Sequence, residues 1–169
     1  MVRTKIQQTR IMKISSFQPI IAPIPRILIL GTMPSVASLQ ASEYYGNPLN
    51  AFWKILSVLK GINCPTDYES KKQLIQDMDL ALWDVCHTCV RPGSLDSSIR
   101  DEEPNLIKAL LEAHPSIHTI LLNGKTAEKL FRRHFKDIKK INTITLPSTS
   151  PAYTLGFDKK LEAWRAAIG

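Results

Sequence analysis

Short apolar runs alternate with helical patterns from residue 26 to the end of the chain, and this alternation restricts the fold more than any other feature. Arg26–Leu30 (RILIL) is a continuous apolar run that stops at Gly31. Leu80–Val85 (LALWDV), His118–Leu122 (HTILL) and the β-branched Ile141–Leu146 (INTITL) are three more. Runs this short, apolar on both faces, predict buried parallel strands. Helical patterns are predicted near 50–60, 68–77, 104–113, 124–135 and 158–168. Strands and helices in this order make βαβ units, with a parallel sheet covered on both faces. The length of 169 residues suits a single domain over 26–169, preceded by an N-terminal extension over 1–25. Ligands of such sheets sit beyond the carboxyl ends of the strands, so the chemistry is expected in segments 31–49, 84–98, 123–126 and 147–156.

Charge narrows the partner. Twenty-two basic residues against fifteen acidic ones give a net +7, which favours an anionic partner, nucleic acid before a membrane surface. Arg3, Lys5, Arg10 and Lys13 form one basic stretch, and segment 125–140 forms another. No apolar run approaches the roughly 18 residues of a membrane span. Three cysteines and no secretory pattern suggest a reducing, cytoplasmic setting. Cys86-His-Thr-Cys89 lacks both the helix start of a redox pair and the second ligand pair of a zinc site, so a structural role is expected.

The strand-end segments hold the candidate residues. Segment 31–49 opens with a single glycine, which excludes a dinucleotide fingerprint and a P-loop. Its Ser35 and Ser38, with free backbone N–H groups, suit an anion, a polar ring or a plain turn. Farther on, Tyr44, Tyr45, Phe52 and Trp53 cluster with Asn47 and Asn50. That set suits an aromatic slot for a planar ligand, with an amide to orient water. Asn50 also reads as the N-cap of the next helix, and Phe52 or Trp53 as core. Asp84 ends an apolar strand, a costly place for a carboxylate unless it is paired or functional. Ser148, Thr149 and Ser150 suit phosphate contacts or a Ser/Thr turn. Tyr153 and Leu155 are apolar loop residues of the kind that wedge into a base stack.

The segments GTMPSVASL, YYGNPLNAFW, ALWDVCHTCVRPGSLDSSI, LLNGKTAEKLF and LPSTSPAYT run in this order from residue 31 to 154. Together they resemble the uracil-DNA glycosylase superfamily, and within it the hypoxanthine-DNA (deoxyinosine) glycosylase family most. The resemblance implies a three-layer α/β/α domain around a four-stranded parallel sheet. It implies a monomer that hydrolyses a deaminated base from DNA without a metal or other cofactor. On this resemblance Phe52 stacks on the flipped base and Tyr45 walls the pocket. Thr32, Met33, Asp84 and Asn123 complete that pocket. Asp84 stands where relatives read the base with an asparagine, and its carboxylate can accept the ring N1–H of hypoxanthine. Asn50 positions the attacking water, with Asn47 as the alternative. Ser35, Ser38, Arg91, Ser148, Thr149 and Ser150 contact DNA, and Tyr153 or Leu155 fills the gap left in the stack.

Two departures bear on the mechanism and the substrate. Met33 stands where many relatives carry an Asp or Asn, and it cannot activate water. Ser150 stands where relatives carry a histidine that stabilises departing uracil. The first moves the water-positioning role to Asn50, and the second shifts the expectation toward a purine, whose ring can be protonated as it leaves. A uracil- or xanthine-preferring enzyme of the same fold and an inactive nucleic-acid-binding relative remain the alternatives.

Overall fold

The computed structural model describes residues 12–169, so Arg3, Lys5 and Arg10 lie outside the described residues. Strands β1 (Lys13–Ser15), β2 (Ile20–Ile21) and β3 (Ile27–Gly31) come first, followed by helices α1 (Val36–Ala41), α2 (Phe52–Lys60) and α3 (Tyr68–Asp77). Then come β4 (Leu80–Asp84), β5 (Cys86–Val90), a 3-10 turn over Asp96–Ser98, and β6 (Arg100–Pro104). The chain ends with α4 (Ile107–Ala113), β7 (Thr119–Asn123), α5 (Lys125–His134), β8 (Asn142–Leu146) and α6 (Phe157–Ile168).

The main sheet has the order β2-β4-β3-β7-β8. Its four expected strands β4, β3, β7 and β8 are parallel, and β2 adds a short antiparallel edge against β4. Residues 13–21 of the expected extension therefore supply two strands, and the sheet has five strands rather than four. Side chains alternate across it, as a pleat requires. Leu28, Leu30, Ile120 and Leu122 pack on one face with Ile107 and Leu110 of α4 and Leu130 and Phe131 of α5. Ile27, Ile29, Leu121 and Leu82 pack on the other with Phe52, Leu74 and Trp164 from α2, α3 and α6. This is the α/β/α layering.

Segment 84–98, expected as a loop, is strand in part. β5 pairs antiparallel with β1 and β6 in a second sheet of three strands. It departs from the main sheet directly after Asp84, and the Val85 N–H still donates to the Gly31 carbonyl. Buried Asn105 closes the junction: its Nδ2 donates to the carbonyls of Asp84 (2.8 Å) and Cys86 (3.0 Å) and to Ser16 Oγ (3.1 Å). Cys86 and Cys89 are fully buried free thiols within β5.

Candidate active site

A pocket of about 520 Å³ opens beyond the carboxyl ends of the parallel strands, within the usual size range for a small-molecule site. Asp84 at the end of β4 and Asn123 at the end of β7 form its floor. Tyr45 and Asn50, from the loop before α2, form one wall. Ser148, Ser150 and Tyr153 of the loop after β8 reach it from the β8 edge of the sheet. An adjoining groove of about 850 Å³ is lined by Asn47, Leu49, Lys54, Lys71, Tyr153, Leu155 and their neighbours.

Tyr45 is the organising side chain. Its ring stacks on Phe52, with centroids 4.0 Å apart and planes 25° off parallel. Its hydroxyl accepts from Asn123 Nδ2 at 3.0 Å. Its backbone is in the left-handed region, at φ 52°, a strained conformation for an aromatic residue and the sort that collects at functional sites. Gly31 makes room beneath: a Cβ there would lie 2.6 Å from Asp84 Oδ1 and 2.9 Å from the Tyr45 hydroxyl. Only glycine lets the end of β3 pass so close to both groups.

Asp84 is 4% exposed, and its Oδ2 is sealed from solvent with no hydrogen-bond partner among the described residues. Burial is the main reason its pKa is pushed up to about 8, with the nearby carboxylate of Asp96 adding to the shift and Arg91 opposing it. The carboxyl is therefore mostly protonated near neutrality, where the sequence suggested a carboxylate acceptor. Asp96 itself accepts from Thr32 Oγ1 at 2.7 Å, and its pKa is also raised by burial.

Asn50 is half-buried between the two cavities. Its Oδ1 accepts from the Phe52 N–H at 3.0 Å, while Ala51 rather than Asn50 holds the cap position of α2. Its Nδ2 has no protein partner among the described residues. The amide plane is thus fixed from one side, with donor hydrogens and one oxygen lone pair left for other use.

The pocket gathers Tyr45, Asn50, Asp84, Asn123, Ser35, Ser38, Ser148, Ser150 and Tyr153. Other expected residues lie elsewhere, for reasons visible in their contacts. Phe52 is fully buried beneath Tyr45, so the outer stacking surface belongs to Tyr45. Met33 packs in the core on the opposite face of the sheet from Phe52, and Thr32 is buried holding Asp96. Asn47 shapes its own turn, its Oδ1 accepting from the Leu49 N–H. Leu155 lines only the adjoining groove.

Several expected DNA contacts are braces. Arg91 is 6% exposed, and its guanidinium donates to the carbonyls of Gly93, Met33 and Pro34. Thr149 is 1% exposed and exchanges two 3.0 Å hydrogen bonds with the Asn123 amide, so that amide is already committed. Ser38 is buried too, its Oγ accepting from the Gly46 N–H, and Ser35 caps α1. Ser148 and Ser150 bond locally, each hydroxyl accepting from a backbone N–H two residues on, in Ser/Thr turns.

Asp96 and Ser94 line the pocket although neither was singled out by a sequence pattern, and Tyr44 and Lys125, noted only for the aromatic cluster and the basic segment, line it as well. A carboxylate a few residues beyond Arg91 was the available signal for Asp96. Leu49, 76% exposed on the loop before α2, is a second apolar tip beside Tyr153. Among the described residues no cluster of three or more His, Cys, Asp or Glu is placed to hold a metal ion, and no helix is long and apolar enough to cross a membrane.

Comparison with known proteins gives the family and the fold. The profile of the uracil DNA glycosylase superfamily matches residues 19–168. A protein of Methanosarcina acetivorans named hypoxanthine DNA glycosylase is 38% identical over 147 residues, 84% of this chain and 89% of its own. A Methanosarcina barkeri protein of the same name is 35% identical over 115 residues, 68% of this chain and 73% of its own. The fold matches the solution NMR structure of a candidate uracil DNA glycosylase from Methanosarcina acetivorans. The TM-score is 0.78 at 32% identity, over 93% of this chain and 99% of that one.

Proposed function

Because this chain belongs to the uracil DNA glycosylase superfamily, we propose that its pocket receives a hypoxanthine base swung out of DNA and hydrolyses the bond joining that base to its sugar. The observation that carries the reading is the pairing of Asp84 and Asn50 in one pocket at the strand ends. One is a buried hydrogen-bonding group for the base edge, and the other is an orienting amide for water. The relatives' name supports hypoxanthine as the base.

A base inside a duplex is out of reach, so the nucleotide turns out of the stack and the base enters the pocket. Tyr45 presents a ring face to it, already rigid on Phe52. Tyr153, exposed at the rim, fills the space left behind. Ser148 and Ser150 meet the flanking phosphates through their turn, and exposed Lys125 adds charge at the mouth. The N9–C1′ bond then breaks with its electron pair passing to the base, leaving an oxocarbenium-like sugar, by analogy with glycoside hydrolysis. Water held by the Asn50 amide attacks C1′. Its hydroxyl stays on the sugar and its proton leaves with hypoxanthine, so an abasic site remains. A strong base is not needed, since the cation is itself electrophilic.

The test is strand cleavage in chelator on labelled duplexes carrying one deoxyinosine, uracil or xanthine, followed by alkali to cut abasic sites. Cleavage at deoxyinosine is expected, reduced at least a hundredfold in Asn50→Ala with DNA affinity kept, in the range that positioning of a reactant contributes. Cleavage confined to uracil would overturn the substrate. No cleavage at any base, with salt-sensitive binding intact, would leave a binding protein.

A further inference from the structure

Resting on the base-excision reading, we propose that Asp84 reads the base as a neutral carboxylic acid, its O–H donating to the carbonyl oxygen that deamination has installed. Deamination of adenine replaces the N6 amino donor with the O6 acceptor. An ionised carboxylate offers only acceptors, so it would favour the amino group of adenine and repel O6. A protonated carboxyl offers a donor. At position 6 of the purine, the charge state of this one side chain thus decides whether the contact favours the amino group of adenine or the carbonyl of hypoxanthine.

Geometry holds that state. Asp84 closes the floor of the pocket at 4% exposure, and its sealed Oδ2 has no donor among the described residues to stabilise a negative charge. Gly31 brings the end of β3 against Oδ1 where any other residue would push the carboxyl away. Tyr44 and Tyr45 face it from the loop before α2, and both hydroxyls are held neutral by burial, with Asp84 itself opposing their ionisation. Cys86 at the start of β5 is likewise a neutral thiol. Asp96 on the 3-10 turn adds a second carboxyl. Among the described residues, Arg91 beyond β5 is the only cation acting on Asp84, and its guanidinium is committed to three backbone carbonyls. One arginine facing two carboxyls leaves one of them favoured as the acid. Thr32 donates to Asp96 and favours the charge there, while the Asp84 Oδ2 has no such donor among the described residues. As the glycosidic bond breaks, negative charge reaches O6, and the Asp84 hydrogen bond strengthens with it, a contribution made most fully in the transition state.

Single-turnover excision from a deoxyinosine duplex between pH 6.5 and 8.5 tests this. The wild-type rate is expected to fall about fourfold across the window, as ionisation near pH 8 requires. Asp84→Asn carries a permanent N–H donor. It should cleave less than tenfold more slowly at pH 6.5 and slow no further by pH 8.5. Asp84→Leu, of similar bulk but without a donor, should be at least a hundredfold slower throughout. The same alkaline fall in Asp84→Asn, or its complete inactivity in a folded protein, would overturn the proposal. An infrared difference spectrum of wild type against Asp84→Asn gives a reading that needs no turnover. A protonated carboxyl band at pH 6.5 that fades by pH 8.5 is expected, and its absence at pH 6.5 would sink the idea. Should the wild type leave deoxyinosine intact at every pH, the substrate assignment fails while the infrared result still decides the state of Asp84.

Discussion

Burying Asp84 has a thermodynamic side that can be measured without DNA. Its folded pKa of about 8 lies above the ordinary 3.8, so the folded protein keeps a proton that the unfolded chain releases above about pH 4. Stability from this group is therefore fully present below pH 4 and lost progressively as pH rises toward 8. Asp84→Asn removes that dependence. It should melt above the wild type at pH 8, by on the order of a few kcal/mol, with the gap closing toward pH 4. Thermal melts of both proteins from pH 4 to 8 check it, and a gap that does not grow with pH would contradict it. The position of Asp84 was legible in sequence because a carboxylate ending an apolar run is costly. Its proton was not, since that depends first on how deeply the folded chain buries the carboxyl and then on Asp96, which folds back from a separate turn. Phe52 and Tyr45 were both visible as pocket aromatics. Which of them faces outward depends on the left-handed turn at Tyr45, a backbone state with no glycine there to announce it. Arg91 and Thr149 looked like DNA ligands because cations and hydroxyls near a strand end suit phosphate. Instead the backbone carbonyls and the Asn123 amide beside them took up their hydrogen bonds.

At the level of elements, the apolar runs located the four parallel strands within a residue or two, and the helical spacing located α2 to α6 about as well. Those segments bury both faces or one stripe, and such patterns survive in a single sequence. The three-residue β1, two-residue β2, short α1 and the strands β5 and β6 were not legible. Their periodicity is too brief, and their pairing spans the chain: Lys13 meets Val90 and Ile20 meets Leu82. Nothing local marks such partners. Asn105 shows what holds this second sheet to the first. Its Nδ2 serves three acceptors at a buried junction. Asn105→Ala should therefore lower stability by about 2–3 kcal/mol, since the Asp84 and Cys86 carbonyls lose a donor where water is scarce. Urea denaturation would show a lower midpoint. A loss under about 0.5 kcal/mol would mean that β1, β5 and β6 are held by other contacts.

For the molecule as a whole, the 22 basic residues overstate what DNA can use. On and around α5, Arg132 pairs with Glu128, Arg133 with Glu102, and Lys108 with Asp137. Lys54 and Lys125, the latter the first residue of α5, line the two cavities instead, and Lys71 beside them pairs with Glu43. Binding to a duplex should then involve a few phosphates, with log K falling against log salt at a slope of about −3 to −5. Fluorescence anisotropy from 50 to 200 mM salt measures this, and a slope steeper than about −7 would place α5 and the N-terminal bases in the interface as well. The sheet order carries one more consequence, for synthesis on the ribosome. Strands β1, β2 and β3 find their mates only in β4, β5 and β7, all at or beyond residue 80. At roughly 5–20 residues per second, the greasy Ile27–Leu30 segment leaves the exit tunnel seconds before any neighbouring strand exists. A translation stall before residue 80 leaves three orphan strands exposed to other nascent chains, so aggregation during synthesis is expected to rise with the length of such a pause.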